Sequence, residues 1–316
     1  MPSPVTGLHH VTAISGPAQA NVDFYAGRLG LRLVKRTVNF DDPHTYHLYY
    51  ADGFAHPGSF LTFFPYENAN PGRIGAGQAT ATAYAVPEGA VDWWVDRFAA
   101  EGCDFGNPAE RFGRRVLPFR DPDGLALEFV ETPAATEGWA DGPIPLEAAP
   151  GAFFAVTLCV ADPGPTARLL TDVLGYREVG EEDGRLRLEN PRADRAAFVD
   201  LYCVPGAEPG RMGAGVVHHV AFRVPSDEAQ AEVREVLTER GHRPTPVIDR
   251  RYFRSIYFRE PGGVLFEIAT DPPGFAVDEP ADRLGTGFML PPQYEPRREE
   301  IERRLPPLRV PYREPA

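Results

Sequence analysis

The chain is poor in lysine and cysteine, has no long apolar run and shows no basic excess. Lys35 is its single lysine. Asp and Glu total 45 against 32 for Lys and Arg, a formal net charge of −13. That balance removes the basic footprint on which nucleic-acid binding depends. No segment approaches the roughly 20 consecutive apolar residues of a membrane-spanning helix. Met1-Pro2-Ser3-Pro4 carries neither the basic nor the apolar region of a secretory signal. A cytoplasmic protein without membrane or nucleic-acid partners is therefore expected. Cys103, Cys159 and Cys203 are isolated and odd in number, so buried, reduced thiols are expected rather than a disulfide framework or a CxxC site. Arginine-rich, Ala/Gly/Pro-rich usage reads as genomic composition bias.

Two short segments stand out. Leu8-His9-His10-Val11 and Val217-His218-His219-Val220 each place a His-His pair inside an apolar run. Neighbouring residues of a strand face opposite sides of the sheet, so each pair sends one imidazole to either face. A third apolar strand, Gly263-Val264-Leu265-Phe266-Glu267-Ile268, carries a carboxylate. Two inward imidazoles and one inward carboxylate form a facial triad with open positions, the pattern of non-haem Fe(II) oxygenases. A carboxylate in such a run is costly to bury alone, and a metal or an arginine removes that cost.

The larger pattern is internal repetition. Gly75 to Pro87 parallels Gly213 to Pro225, and each opens onto a helix, Val91 to Glu101 or Glu228 to Arg240, stopped at Gly102 and Gly241. Arg120-Asp121-Pro122-Asp123-Gly124-Leu125-Ala126-Leu127-Glu128 likewise parallels Arg259-Glu260-Pro261-Gly262-Gly263-Val264-Leu265-Phe266-Glu267, a hairpin turn between two apolar runs. Leu8 to Gly30 and Phe153 to Gly175 repeat the strand-then-helix opening more weakly. Four β-α-β-β-β units follow, at about 5–66, 75–132, 150–205 and 213–271. The predicted class is α+β: four such modules forming two open, curled mixed sheets. At 316 residues two domains are the default, drawn at 1–143 and 144–275 with a C-terminal extension at 276–316. Thr132 to Ala149 and Gly206 to Gly213 read as connectors. The proline-rich tail is expected to hold one short helix over Glu299 to Leu305, with Pro296 near its first turn, and to strap the domains together.

This repeat resembles the vicinal oxygen chelate superfamily, in which paired units curl around a metal. Within it the chain is similar to ring-cleaving dioxygenases that act on hydroquinones. The likeness runs through Gly7 to Thr12, Asn21 to Tyr25, Lys35 to Pro43, Asp249 to Pro261 and Ala269 to Phe275, nearly the whole chain. It implies His10, His219 and Glu267 as metal ligands. The repeat offers a check: unit two has Ala81 in place of His219, and unit three has Ala155 in place of His10. The metal therefore belongs between units one and four, which must pair across the chain, and Glu128 is left without histidine partners. Iron(II) is the expected cofactor and Mn(II) the runner-up.

The resemblance also places His9 and His218 near the site as acid/base candidates. Simple alternation puts them on the opposite face, so a bulge or strand end is required. Thr12 shares the face of His10, where its hydroxyl could hold a ligand or substrate oxygen or merely favour the strand. Tyr257 precedes Glu267 in the hairpin and offers a phenol to substrate or dioxygen; its counterpart in unit two is Pro118. Arg250 could orient an anionic oxygen, although Arg111 holds the same repeat position with no metal in prospect, which leaves a structural role open. His44, His47, His56 and His242 read as ordinary hydrogen-bonded histidines.

The expected function is a ring-cleaving, extradiol-type dioxygenase inserting both atoms of O2 into a small hydroquinone or catechol. Two alternatives are a glyoxalase-like isomerase or thiol transferase, which completes its metal shell with four protein ligands, and a metal-free binding protein of the same fold. Base rates favour a homo-oligomer, a dimer first.

Overall fold

Period-two patterning becomes strands in each predicted unit of the computed structural model, which describes residues 3–133, 138–203 and 206–311. Unit one contains β1 (Leu8–Ser15), β2 (Arg32–Asn39), β3 (Asp42–Ala51) and β4 (Phe60–Pro65). Unit two contains β5 (Gln78–Pro87), the short β6 (Asp104–Phe105) and β7 (Ala109–Arg111), then β8 (Arg114–Arg120) and β9 (Ala126–Thr132). In unit three lie β10 (Phe153–Cys159), β11 (Arg177–Glu182), β12 (Arg185–Glu189) and β13 (Phe198–Leu201). Unit four supplies β14 (Val216–Val224), β15 (Ile248–Asp249), β16 (Phe253–Arg259) and β17 (Leu265–Pro273). The first strand of every unit pairs in parallel with its last, through a helical crossover.

The crossover helices follow their local signals. Helix α2 (Ala90–Glu101) ends on Gly102, whose φ of 65° is the left-handed stop expected there. Helix α4 (Asp227–Glu239) starts at Ser226, whose side chain accepts the Ala229 N–H. In unit three, α3 (Pro163–Asp172) is capped by Asp162, with proline in its first turn. Unit one departs from the expected single helix: α1 (Ala18–Val22) widens into a π-helical turn, Asp23–Arg28. The tail forms the short α5 (Arg298–Arg304) beyond Pro296. No helix of the described residues is long and apolar enough to cross a membrane.

Units one and four share one sheet, in the order β15-β16-β17-β14-β1-β4-β3-β2. Units two and three share the other, β11-β12-β13-β10-β5-β9-β8-β6, with β7 on β8. Each sheet thus draws one unit from either half of the chain, so residues 1–143 and 144–275 are not separate sheets. The outer faces pack helices into a core containing Trp94, Tyr25, Phe63 and Phe266, none exposed. Residues 134–137 of the connector and 312–316 of the tail lie outside the described residues.

The tail braces units one and four. Phe275 stacks on Tyr252 with centroids 4.8 Å apart. The hydroxyls of Tyr294 and Tyr46 donate to the carbonyls of Phe40 and Pro306. Lys35, fully buried, binds Asp278 at 2.6 Å and Glu279 at 2.5 Å and lies over the Tyr252 ring. Breaking such a buried pair by removing one partner costs about 3–5 kcal/mol, which explains why the single lysine sits where the tail docks.

One sequence expectation fails here. Cys159 and Cys203 are disulfide-bonded, with Cα atoms 4.3 Å apart, and only Cys103 is free. The two cysteines are 44 residues apart in sequence, but the crossover brings the ends of β10 and β13 side by side: Leu158 pairs Leu201 and accepts the Tyr202 N–H. An odd cysteine count conceals a pair that only the parallel register creates.

Candidate metal centre

The centre is built on two rows of residues crossing the concave face of the first sheet. In one row Phe60, His10, Ala221, Glu267 and Tyr257 are successive neighbours on β4, β1, β14, β17 and β16. In the next row Tyr49, Thr62, Thr12 and His219 are neighbours on β3, β4, β1 and β14. Positions two apart in a strand share a face, so both rows point inward, and Val11, Val220 and Phe266 between them face the helices.

His10, His219 and Glu267 converge. Nε2 of His10 and Nε2 of His219 lie 3.1 Å apart, and they stand 3.2 and 2.9 Å from Oε2 of Glu267. All three residues are buried, Glu267 completely. Among the described residues they are the one group of three such ligand atoms, within 4.8 Å of one another.

Two β-bulges position the remaining histidines. The β1–β14 register skips His9 on one strand and His218 on the other, so neither keeps the outward direction that alternation assigns. His9 Nδ1 instead lies 2.9 Å from His10 Nδ1, and His218 Nδ1 lies 2.8 Å from His219 Nδ1. Each inner imidazole therefore has its Nδ1 engaged from behind and its Nε2 aimed at the centre. His9 is buried beneath the site against Phe60 and Phe253. His218 is half-buried and lines the cavity above.

The electrostatics agree. Burial alone would raise the Glu267 carboxyl, but the His10 and His219 imidazoles outweigh it and hold it well below the usual carboxylate range. Burial pushes His219 and His9 down, and His218 down to about 4. Oε1 of Glu267 accepts from the Ser255 hydroxyl, whereas Oε2 faces the His10 and His219 Nε2 atoms. In the tautomer that directs the Nδ1–H of each inner imidazole to its backing histidine, three sets of lone pairs meet in a closed space. A cation satisfies all three at once, so these residues fit a divalent metal held by two imidazoles and a carboxylate, with its ligands oriented by outer partners.

Above the triad opens a cavity of about 470 Å³ whose walls include His10, His47, Tyr49, His218, Arg250 and Tyr257. Arg250 donates through Nε to the Tyr257 hydroxyl at 3.1 Å and reaches Asp41 at 3.0 Å. Burial and the neighbouring Glu267 raise Tyr257, which remains a phenol. Thr12 is fully buried and its hydroxyl is bonded to Thr62 at 2.7 Å, so it backs the cavity instead of lining it. Sequence reasoning missed Ser255, Thr62, Tyr49 and a site role for His47. All four share the concave face with the named residues, and that shared register was the available signal.

The second sheet repeats the frame without the metal set. The same two bulges occur at Phe154 and Thr80. Ala155 and Ala81 occupy the histidine positions, and Glu128 binds Arg111 at 2.8 Å. Where unit one has His47, Tyr49 and Thr62, unit three has Arg185, Arg187 and Asp200, joined as buried ion pairs. Guanidinium groups supply there the positive charge that the first centre lacks.

The model of the Glyoxalase/Bleomycin resistance protein/Dioxygenase superfamily matches residues 7–129 and 152–268. The chain belongs to that superfamily. It is 46% identical over 305 residues to MhqO of Bacillus subtilis (strain 168), named as a ring-cleaving dioxygenase, covering 96% of this chain and 97% of the relative. It is 34% identical over 315 residues to a chlorohydroquinone/hydroquinone 1,2-dioxygenase of Sphingobium indicum, covering 96% and 97%. A Bacillus subtilis crystal structure described as a dioxygenase superposes with a TM-score of 0.94 at 46% identity, covering 98% of this chain and 99% of that one.

Proposed function

We propose that this protein is a non-haem Fe(II)-dependent, extradiol-type ring-cleaving dioxygenase that inserts both atoms of O2 into a small aromatic diol of the hydroquinone or catechol class. Mn(II) is the second metal the ligand set suits. One observation carries the reading: three buried ligand atoms, with their outer nitrogens already engaged, form the floor of a cavity of about 470 Å³. Ring-cleaving names among relatives matched over nearly their full length support the same chemistry.

When bound, the ion supplies Lewis acidity and redox reach to the diol and to dioxygen. The rest is the work of the chain's own residues. Phe40, Phe64 and Leu265 contribute apolar walls against water. Arg250 fixes the Tyr257 hydroxyl by donating to its oxygen, and the phenolic O–H on the cavity wall is placed to donate to a substrate oxygen. His218, neutral on the cavity wall, is placed to hold a proton taken from a substrate hydroxyl. His9, sealed beneath, serves the orientation of His10.

The test is oxygen uptake by anaerobically Fe(II)-reconstituted protein over a panel of hydroquinones and catechols. One O2 consumed per ring opened, with both oxygen-18 atoms of labelled O2 in the product, is expected. Isomerisation of a thiol adduct with no diol-dependent oxygen uptake would contradict the reading.

A further inference from the structure

The cavity wall also holds a second phenol, Tyr49, whose hydroxyl has one hydrogen-bond partner among the described residues. Tyr49 Oη lies 2.8 Å from His47 Nδ1. His47 Nε2 lies 2.9 Å from the Thr62 hydroxyl, which lies 2.7 Å from that of Thr12. The row runs across β3, β4 and β1 to the strand of His219. His47 and Tyr49 both line the cavity; Thr62 and Thr12 are fully buried behind it. The pair is also held mechanically. His47 packs at a tilt on Tyr49 at 4.0 Å and on Phe64 at 4.4 Å, and Tyr49 packs on Phe275 at 5.0 Å.

Among the described residues the row is present only beside the proposed metal ligands. At the equivalent positions of the second sheet, where Ala155 and Ala81 replace the imidazoles, Arg187, Arg185 and Asp200 replace Tyr49, His47 and Thr62. A purely structural row would have no reason to follow the metal ligands in this way.

We propose that Tyr49 is a second hydroxyl donor to the bound diol, and that His47, anchored through Thr62 and Thr12, is the positioning residue that turns the Tyr49 O–H toward the substrate. The hydrogens can be counted. In the order this proposal requires, Thr12 donates to Thr62, Thr62 donates to His47 Nε2, and His47 Nδ1–H donates to Tyr49 Oη. Tyr49 then has its own O–H left, and among the described residues it has no other acceptor for it. A substrate oxygen in the cavity is that acceptor. Burial keeps His47 neutral and Tyr49 protonated, as this order requires. Tyr49 and Tyr257 thus address the diol from different strands, β3 and β16. The inference rests on the proposed diol cleavage.

The experiment compares Tyr49→Phe, His47→Leu and the double variant. Each single change is expected to lower kcat/KM for the best diol by about 10- to 100-fold, the worth of one hydrogen bond to a charged oxygen, with the double variant no worse than either. His47→Gln, which can both donate and accept, is expected to recover most of the loss. Nitrogen-15 NMR of the diol-bound, metal-free protein is expected to show His47 protonated at Nδ1 and bare at Nε2, reversing in Tyr49→Phe. Additive losses, an unaffected Tyr49→Phe variant, or an Nε2-protonated His47 would overturn the inference. If wild-type protein cleaves no diol, the proposed function fails, and the NMR tautomer alone decides the His47–Tyr49 arrangement.

Discussion

Glu267→Gln is expected to abolish tight divalent-metal binding and to lower turnover by more than about 10²-fold, because a ligand must cost more than the 10- to 100-fold typical of its outer partners. The substitution preserves shape and leaves the Ser255 contact in place, so the backbone has little reason to move. The change is in charge. The carboxylate faces the two imidazoles; an amide in its place offers a cation only a dipole. In the metal-free protein the same substitution is expected to lower stability, since the carboxyl is held below its usual range by His10 and His219 and so contributes stability as an anion. Metal analysis after anaerobic dialysis and thermal melting of the apo form check both parts. Equal metal content in variant and wild type would contradict the ligand assignment.

His218→Phe and His9→Phe are each expected to weaken metal binding by about 10- to 100-fold, but they should separate in turnover. Both remove the partner of an inner Nδ1 and free that imidazole to adopt the wrong tautomer. Only His218 also faces the cavity. With metal at saturation, His9→Phe should recover most of its kcat, whereas His218→Phe should not. Phenylalanine suits both positions, because His9 already packs on Phe60 and Phe253, and His218 on Phe64. Competition titration against a chromophoric chelator measures the first effect, and steady-state rates at saturating metal measure the second. Identical turnover in the two variants would contradict the division of labour.

Much of this centre is legible in the sequence because its parts are marked residues in repeated surroundings. Histidine pairs in apolar strands, alanines at the equivalent positions of units two and three, and a carboxylate in a hydrophobic run identify three side chains that the fold brings within contact. The repeat also requires units one and four to share a sheet, as they do. What the sequence hides is backbone geometry. No residue type announces the bulges at His9 and His218, and without them period two sends both imidazoles away from the site. The bulges at Phe154 and Thr80 show that they belong to the fold itself, not to histidine.

His47 and Tyr49 were hidden for another reason. A strand histidine is ordinarily a satisfied core residue, and only the register across β3, β4 and β1 places this one beside His10 and His219. The disulfide between Cys159 and Cys203 is likewise a product of parallel register that residue counting cannot see.

The central claim is that one divalent ion sits among His10, His219 and Glu267. Anomalous diffraction at the iron edge, from crystals of Fe(II)-loaded protein grown without oxygen, tests it most directly. A single peak between the two Nε2 atoms and the Glu267 carboxylate is predicted. A peak elsewhere, or a fully loaded crystal with these three side chains still in mutual contact and no ion between them, would contradict it.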